Sequence, residues 1–325
     1  MRITLQDLAD ICNLSRGTIS LALRDDPRIN ENTRKKIHNL AEKMDYQPNL
    51  AATSLRNNKS NTIWIITESI RAFYDQEVVR IATKILSLSE YDAVAAFHME
   101  NVDRYARLTS KLFQGISDGA IIIPRRVGED FQILKKLALR NYPVVLIDVD
   151  VEGLGLPLVT SDNEGATKEL IEQCQERGYQ HFVILQQLGN PVAKQRKTAA
   201  IRTISDMGHW IEGQEMNEKW LKSNAGAPLV LFADSQNCII DFLKDWRGSL
   251  AGRDLLFTCF DIWYGDPAPA KSVIVSVQDY EGIANKATDM LLNILRSNPG
   301  EYKTCRLVHA LARKEIKVFH SNIVV

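Results

Sequence analysis

The sequence predicts an all-α helix-turn-helix head with a hinge helix, joined to an α/β body of two lobes, each built on a doubly wound parallel sheet. Three observations carry this reading. The chain opens with two short helices separated by a tight turn, the helix-turn-helix arrangement. From residue 61 onward, short continuous apolar runs alternate with helical periodicity, as buried parallel strands and their crossover helices do. That alternation comes in two sets, and 325 residues is a length that fits about two domains.

In the head, residues 3–12 read as the first helix. Thr4 caps it, and Asp7 completes a capping box and meets the positive helix end. Asn13 and Leu14 turn the chain. Residues 15–24 form the second helix, capped by Ser15. Asn30 caps a third helix to about residue 44, with Ile37, Leu40, Ala41 and Met44 on one face. Leu5, Leu8, Ala9, Ile19, Ala22 and Leu23 supply the facing stripes of one very small core. Pro48 breaks the chain, and Asn49 caps a short helix over residues 50–57 that is marginal alone in water. The second helix can lie in a major groove, where each base pair shows a distinct donor, acceptor and methyl pattern.

The charge distribution agrees. The whole chain is neutral, but residues 1–60 hold ten Lys/Arg against seven Asp/Glu, a net of +3 balanced by −3 in the remainder. Arg16, Arg24, Arg28, Arg34, Lys35 and Lys36 cluster in the head, which predicts salt-dependent phosphate binding. The five cysteines (Cys12, Cys174, Cys238, Cys259 and Cys305) are widely spaced, with no Cys-x-x-Cys or His-cluster spacing. They read as reduced cytoplasmic thiols rather than zinc ligands. Met1-Arg2-Ile3-Thr4 is not a signal peptide and no apolar run reaches spanning length, so a cytoplasmic protein without membrane association is expected.

In the body, strands are expected over residues 62–66, 93–97, 119–124 and 143–148, with helices over 76–88, 102–114 and 130–140. A second set begins near Asp162. Its helix covers 164–177 and is ended by Gly178; its strands cover 181–185, 229–233 and 255–261. Two such lobes form a cleft at the carboxyl ends of their strands, where ligands bind in sheets of this kind.

Thr4-Leu5-x-Asp7-Leu8-Ala9, Ser15-x-x-Thr18-Ile19-Ser20, Thr33-Arg34 and Tyr46-x-Pro48-Asn49-x-x-Ala52-x-x-Leu55 together resemble the head and hinge of the lac-repressor (LacI/GalR) family of bacterial transcription regulators. The resemblance implies that Arg16, Gly17 and Leu21 read base edges, and that Thr18, Ser20 and Asn30 touch phosphate. It places Ala52 and Leu55 on a hinge helix in the minor groove, with Leu55 as an apolar wedge that kinks the duplex. Thr4, Leu5, Ser15, Arg24, Thr33 and Asn49 complete the expected DNA-binding set. Two positions depart from the family: Gly17 has no side chain to read with, and Leu21 stands where many relatives carry Arg. Leu21 offers only apolar contact, for example to a thymine methyl.

The body resembles the family's effector domain, itself similar to periplasmic sugar-binding proteins. The matching pieces are Leu146-Ile147-Asp148, Asp162-Asn163-x-Gly165-Ala166, Gly178-Tyr179-x-His181, Arg196 with Ala199, Phe260-Asp261, Gln278-Asp279-Tyr280 and Leu311-x-Arg313. The family's chain crosses between lobes three times. Here that implies a head and hinge over 1–60 and an effector-binding and dimerisation domain over 61–325. The first lobe would cover about 61–159 and 279–310, the second about 160–278 and 311–325.

The resemblance makes Arg196 and Asp261 the best effector contacts, with Phe73, Tyr74, Asp148, Asp162 and Ser235 as further candidates. A guanidinium and a carboxylate supply the donors and acceptors a polyhydroxylated ligand needs, and aromatic rings suit a sugar's CH face. Against each stands an ordinary alternative: a strand-end Asp often caps a helix, and Arg196 could be an exposed helix residue. Several positions depart from the family. Ser235-Gln236 replaces Asn-Asp and removes a carboxylate, Cys259 replaces a Gly, and Glu315 replaces a Ser. The 207–228 stretch looks too short for the helix and strand relatives place there. Trp220, Trp263 and Tyr264 would line an altered cleft or pack as core or lid.

The resulting expectation is a ligand-controlled, DNA-binding transcription regulator, a repressor. It would act as a homodimer on a pseudo-palindromic double-stranded operator, with a sugar as effector. The alternative is a corepressor-dependent regulator that binds a sugar phosphate or nucleobase. A sugar-binding protein without a DNA role is disfavoured by the head. No cofactor and no enzymatic activity are expected, since no Gly-x-Gly-x-x-Gly, Walker loop, Gly-x-Ser-x-Gly or His-Glu-x-x-His occurs. Residues 314–325 carry no leucine-heptad tail, which points to a dimer rather than a tetramer.

Overall fold

The computed structural model describes residues 3–48, 59–124, 127–151, 153–186, 189–205, 208–264, 266–267, 269–297, 308–311 and 315–320. They fall into two units, Met1–Ser60 and Asn61–Val325.

The head is built from α1 (Leu5–Cys12), α2 (Arg16–Ala22) and α3 (Glu31–Lys43). Each helix begins where a side chain replaces a missing helical partner. Thr4 Oγ1 accepts from Asp7 N at 3.3 Å, while Thr4 N donates to Asp7 Oδ2 at 2.7 Å, a closed capping box. Ser15 and Asn30 cap α2 and α3. Asn13, at φ 52°, turns the chain out of α1 in the left-handed region. Leu8, Ala9, Ile19, Ala22, Ile37 and Ala41 form the buried core, with Leu5, Leu23, Leu40 and Met44 partly buried against it. The first two helices are shorter than residues 3–12 and 15–24 because Thr4 and Ser15 are extended caps and Leu23 already closes α2. The expected hinge helix, with Asn49, Ala52 and Leu55, lies outside the described residues.

The first lobe of the body contains β1 (Thr62–Thr67), α4 (Phe73–Leu86), β2 (Asp92–Phe97), α5 (Val102–Lys111), β3 (Gly119–Ile122), α6 (Val127–Leu139), β4 (Val144–Ile147) and β5 (Leu158–Ser161). The second contains α7 (Asn163–Glu176), β6 (His181–Leu185), α8 (Pro191–Ser205), β7 (His209–Glu212), α9 (Glu218–Ser223), β8 (Leu229–Ala233), α10 (Gln236–Leu250), β9 (Leu255–Phe260) and β10 (Ser272–Val277). Next come α11 (Tyr280–Arg296), β11 (Val308–Leu311) and β12 (Glu315–His320). The sheets run β11-β5-β4-β3-β1-β2 and β12-β10-β9-β8-β6-β7. Strands β3, β4, β8 and β9 are buried along their whole length. That is why they read as unbroken apolar runs, covered by helices on both faces.

The chain passes between lobes after β5, after β10 and between β11 and β12. The first two passages share a device. In Asp162-Asn163-Glu164-Gly165 and Asp279-Tyr280-Glu281-Gly282 the Asp caps the next helix, accepting from the Gly N–H at 2.9 Å in both. A Cβ at Gly165 or Gly282 would lie 2.2 or 2.3 Å from the other carboxylate oxygen, Oδ2, of the capping Asp, so a side chain at either position would displace the cap. Helix α11 then packs on the first lobe, with Ile283, Ala284, Ala287 and Leu291 in its core.

Several expectations need correction. Strand β12 pairs antiparallel with β10, Glu315 opposite Val277, so the second sheet is mixed. Strand β11 leaves the first sheet at its carboxyl end and the chain enters the second at the carboxyl end of β10, so it must run backwards. The 207–228 stretch is long enough for both a strand and a helix, because β7 has only four residues and α9 only six. Helix α4 begins at Phe73 rather than residue 76, and α6 at Val127 rather than 130. Of the alternatives for the tryptophans, the core one holds: Trp263 is buried in the second lobe's core and Trp220 packs on that core. Among the described residues no helix is long and apolar enough to cross a membrane.

Candidate nucleic-acid interface and ligand cleft

Helix α2 presents its outer face to solvent. Arg16, Gly17 and Arg24 are exposed, and Thr18, Ser20 and Leu21 are half-buried. Ser15 Oγ accepts from Thr18 N at 3.1 Å and shares a hydroxyl hydrogen bond with Thr18 Oγ1 at 2.9 Å. Arg24 Nε donates to the Ser20 carbonyl at 3.0 Å, closing the helix end. Asn30 Oδ1 accepts from Asn32 N at 2.9 Å, and Thr33 lies half-buried in the first turn of α3. Thr4 is exposed, whereas Leu5 packs against the head core.

Much of the head's positive charge is spent internally. Arg28 pairs with Asp26 at 2.8 Å and holds that carboxyl far below its usual range. Lys35 pairs with Glu31 at 2.7 Å. Arg34 donates to the Asp25 carbonyl at 2.9 Å, and His38 Nε2 lies 3.2 Å from both Ala22 O and Asp25 Oδ1. These two side chains pin the loop that follows α2. Arg16 and Lys36 make no hydrogen bond or ion pair among the described residues. The count of charges could not reveal this partition.

The second candidate site lies where the chain passes between the lobes. Ser161 Oγ, at the end of β5, donates to Gln278 Oε1, just past β10; Gln278 Nε2 donates to Asp261 Oδ1. Tyr280 OH donates to the same Asp261 oxygen at 3.3 Å. Burial and the Asp261 carboxylate push the Tyr280 hydroxyl far up, so it stays a donor. Arg196 is 5 % exposed, which removes the surface-residue alternative. Its Nε donates to Asn163 Oδ1 at 3.0 Å and its Nη1 to the Asp234 carbonyl at 3.4 Å, while the guanidinium lies 3.8 Å from the Phe260 ring centroid. No carboxylate stands within ion-pair distance of Arg196 among the described residues.

Aromatic rings extend the network into the first lobe. Phe73 meets Tyr280 edge-on at 5.5 Å and Tyr264 at 6.3 Å; Tyr74 meets Tyr280 at 5.8 Å. Tyr264 is 57 % exposed, unlike the two tryptophans. Asp148 and Asp261 end the fourth strand of their respective lobes in the same way. Each has φ 72°, and the following N–H reaches back across it, Val149 to Ile147 O at 2.9 Å and Ile262 to Phe260 O at 3.1 Å. Such γ-turns are strained, and strain of this kind clusters at functional sites.

The expected effector residues thus divide. Arg196, Asp261, Phe73 and Tyr74 join this network, and Asp148 holds the matching position in the first lobe. Asp162 is exposed and serves as the cap of α7. Ser235 Oγ lies 3.6 Å from Cys238 Sγ at the start of α10. Burial, then the nearby Asp234, pushes the Cys238 thiol up to about 12, and burial raises Cys259 further, so both stay protonated. Ser161, Asn163, Asp234, Gln278 and Tyr280 were not expected as site residues. The Asn163 and Gln278-x-Tyr280 motifs were visible in sequence, but their convergence was not.

Comparison with known proteins agrees with this architecture. Residues 4–49 match the family model "Bacterial regulatory proteins, lacI family". A "Probable HTH-type transcriptional repressor ExuR" of Bacillus subtilis (strain 168) is 27 % identical over 208 residues, 62 % of this chain and 60 % of that protein. Catabolite control protein A of Priestia megaterium is 24 % identical over 210 residues, 64 % of this chain and 63 % of its own. The chain therefore spans less than two thirds of the length of these curated relatives. Among solved structures, the lac repressor dimer bound to operator and the anti-inducer ONPF superposes with a TM-score of 0.74 at 16 % identity, covering 99 % of this chain and 98 % of that one. Residues 4–49 of this chain thus carry the head described for bacterial regulatory proteins of the lacI family, and the chain as a whole shares the fold of the lac repressor.

Proposed function

We propose that this protein is a DNA-binding transcription repressor whose operator affinity is set by a small carbohydrate held between the lobes of its body. The observation that carries the DNA role is α2, a capped helix with an exposed face whose Arg16 has no hydrogen-bond or ion-pair partner among the described residues. The observation that carries the effector role is the Arg196–Asn163 and Asp261–Gln278–Tyr280 network, flanked by aromatic rings where the chain passes between lobes. Donors and acceptors fixed in this way beside rings suit a polyhydroxylated ligand. The protein acts as a cytoplasmic homodimer, and its two heads read a near-palindrome. Asn49, Ala52 and Leu55 belong to a hinge helix that folds on the operator, with Leu55 wedged between base steps.

A carbohydrate that binds the two states of the body unequally shifts the population competent for DNA. The test is a thermal-shift screen of monosaccharides, disaccharides and their acids, followed by operator binding with each hit. One hit that stabilises the chain and changes operator affinity is expected, and Arg196→Met removes both effects. Operator binding indifferent to every stabilising ligand would contradict the effector role. A second reading, an anionic sugar such as a phosphate or sugar acid acting as corepressor, is favoured by one observation. The buried Arg196 guanidinium has an amide oxygen, a backbone carbonyl and a ring as contacts, which leaves it able to pair with an anion.

A further inference from the structure

We infer that α2 reads thymine methyl groups through a slot formed by Gly17 and Leu21, an inference that rests on the DNA-binding reading above. Two structural observations point to it. The first is Leu21. The other large apolar residues of α2 and its cap, Ile19 and Leu23, belong to the head core or pack on it, and Leu21 does neither. It is half-buried and takes no part in that cluster. The second is Gly17. Its φ is not left-handed, and a Cβ there would meet only Ser15 Oγ, at an ordinary 3.6 Å. Neither backbone conformation nor crowding within the head calls for glycine. What remains is a requirement imposed from outside.

Gly17 and Leu21 are four residues apart, so they are neighbours on one helix face. Together they place a bare, exposed backbone patch beside a half-buried apolar side chain. In a major groove the one apolar feature of a base edge is the thymine 5-methyl. The rest of the face leaves few polar readers. The hydroxyls of Ser15 and Thr18 bond to one another, and Arg24 Nε is tied to Ser20 O. Arg16 is the long polar side chain at the start of α2 without a partner among the described residues. The half-site would therefore combine one purine contact through Arg16 with one or two thymines seated against Gly17 and Leu21.

The test uses the full chain and duplexes that it selects from a random library. Each thymine of a selected duplex is replaced singly by deoxyuridine, which removes only the 5-methyl. Loss of about fourfold in affinity is expected at one or two thymines per half-site, the effect of unburying one methyl. Leu21→Ala should bring the thymine-to-deoxyuridine ratio at those positions close to one. Gly17→Ala, which the head accommodates without a clash, should weaken the thymine duplex and recover when the methyl is removed. Selective duplexes bound equally well with deoxyuridine at every position would overturn the methyl slot alone. Methyl discrimination unchanged in both variants would do the same. Failure to enrich any duplex would overturn the DNA-binding reading, and this inference with it.

Discussion

The head and the body are held together on different scales. In the head, the side chains that fix structure act within a few residues of themselves: Thr4 with Asp7, Ser15 with Thr18, Asn30 with Asn32. Its core is a handful of side chains from three short helices. In the body, Ser161 is tied to Gln278 across 117 positions and Arg196 to Asn163 across 33. Two six-stranded sheets carry its core. A unit as small as the head buries too little surface to be more than marginally stable, while the body can store and transmit a long-range arrangement. The proposed function would draw on both: a small unit for DNA and a larger one whose geometry a ligand would reset.

Breaking the smaller core should have the largest effect. Ile19 is fully buried between the head helices, and Ile19→Ala should cost about 2–5 kcal/mol. The head is expected to unfold at room temperature while the body keeps its melting temperature, read by calorimetry and by amide exchange resolved along the chain. A single transition shifted as a whole would mean that head and body fold as one unit. Next in size is Arg196→Met, which leaves Asn163 Oδ1 buried without its donor at a cost of about 1–3 kcal/mol. Here the body transition moves, and the head and its ligand-free operator affinity do not. Thr4→Ala removes the capping box and should cost the head about 1 kcal/mol. Hydrogen exchange in α1 reports it directly, and unchanged protection there would show that the cap contributes nothing.

Mild acid should separate the two regions more gently. His181 stacks on His209 across β6 and β7 at 5.1 Å, and burial followed by the second imidazole holds its pKa below the ordinary 6.5. On acidification the unfolded chain therefore binds a proton at this site before the folded one does, so body stability falls as pH drops below about 6.5. In the head, Asp7 and Asp26 have depressed pKa values, from the Thr4 and Arg28 hydrogen bonds respectively. Their contribution is intact above the ordinary carboxylate value of 3.8 and is lost only as pH falls through their lowered values. Between pH 7 and pH 5 the body should soften and the head should not. His181→Gln should flatten the body's dependence, and an equal slope in that variant would place the cause elsewhere.

The same difference in scale decides what could be read from sequence. Thr4, Ser15 and Asn30 announce their helices because cap and helix are adjacent in the chain, and the buried strands announce themselves as apolar runs. Strand β7 carries no such signal, because His209-Trp210-Ile211-Glu212 is a half-exposed edge strand without an apolar run. The site was legible only in part. Arg196 and Asp261 stood out through resemblance. The γ-turns at Asp148 and Asp261 had no such signal, because Asp does not announce a positive φ. The joining of Ser161, Gln278 and Tyr280 depends on where two lobes bring distant strand ends, and no local pattern encodes that.

Whether α2 reads DNA sequence is decided by selecting duplexes from a random library with the purified chain, alone and with each ligand that stabilises it. A sequence-reading α2 enriches a near-palindrome with its two half-sites about one helical turn apart, or a multiple of that. Salt-sensitive binding to every duplex alike, with nothing enriched, would contradict it.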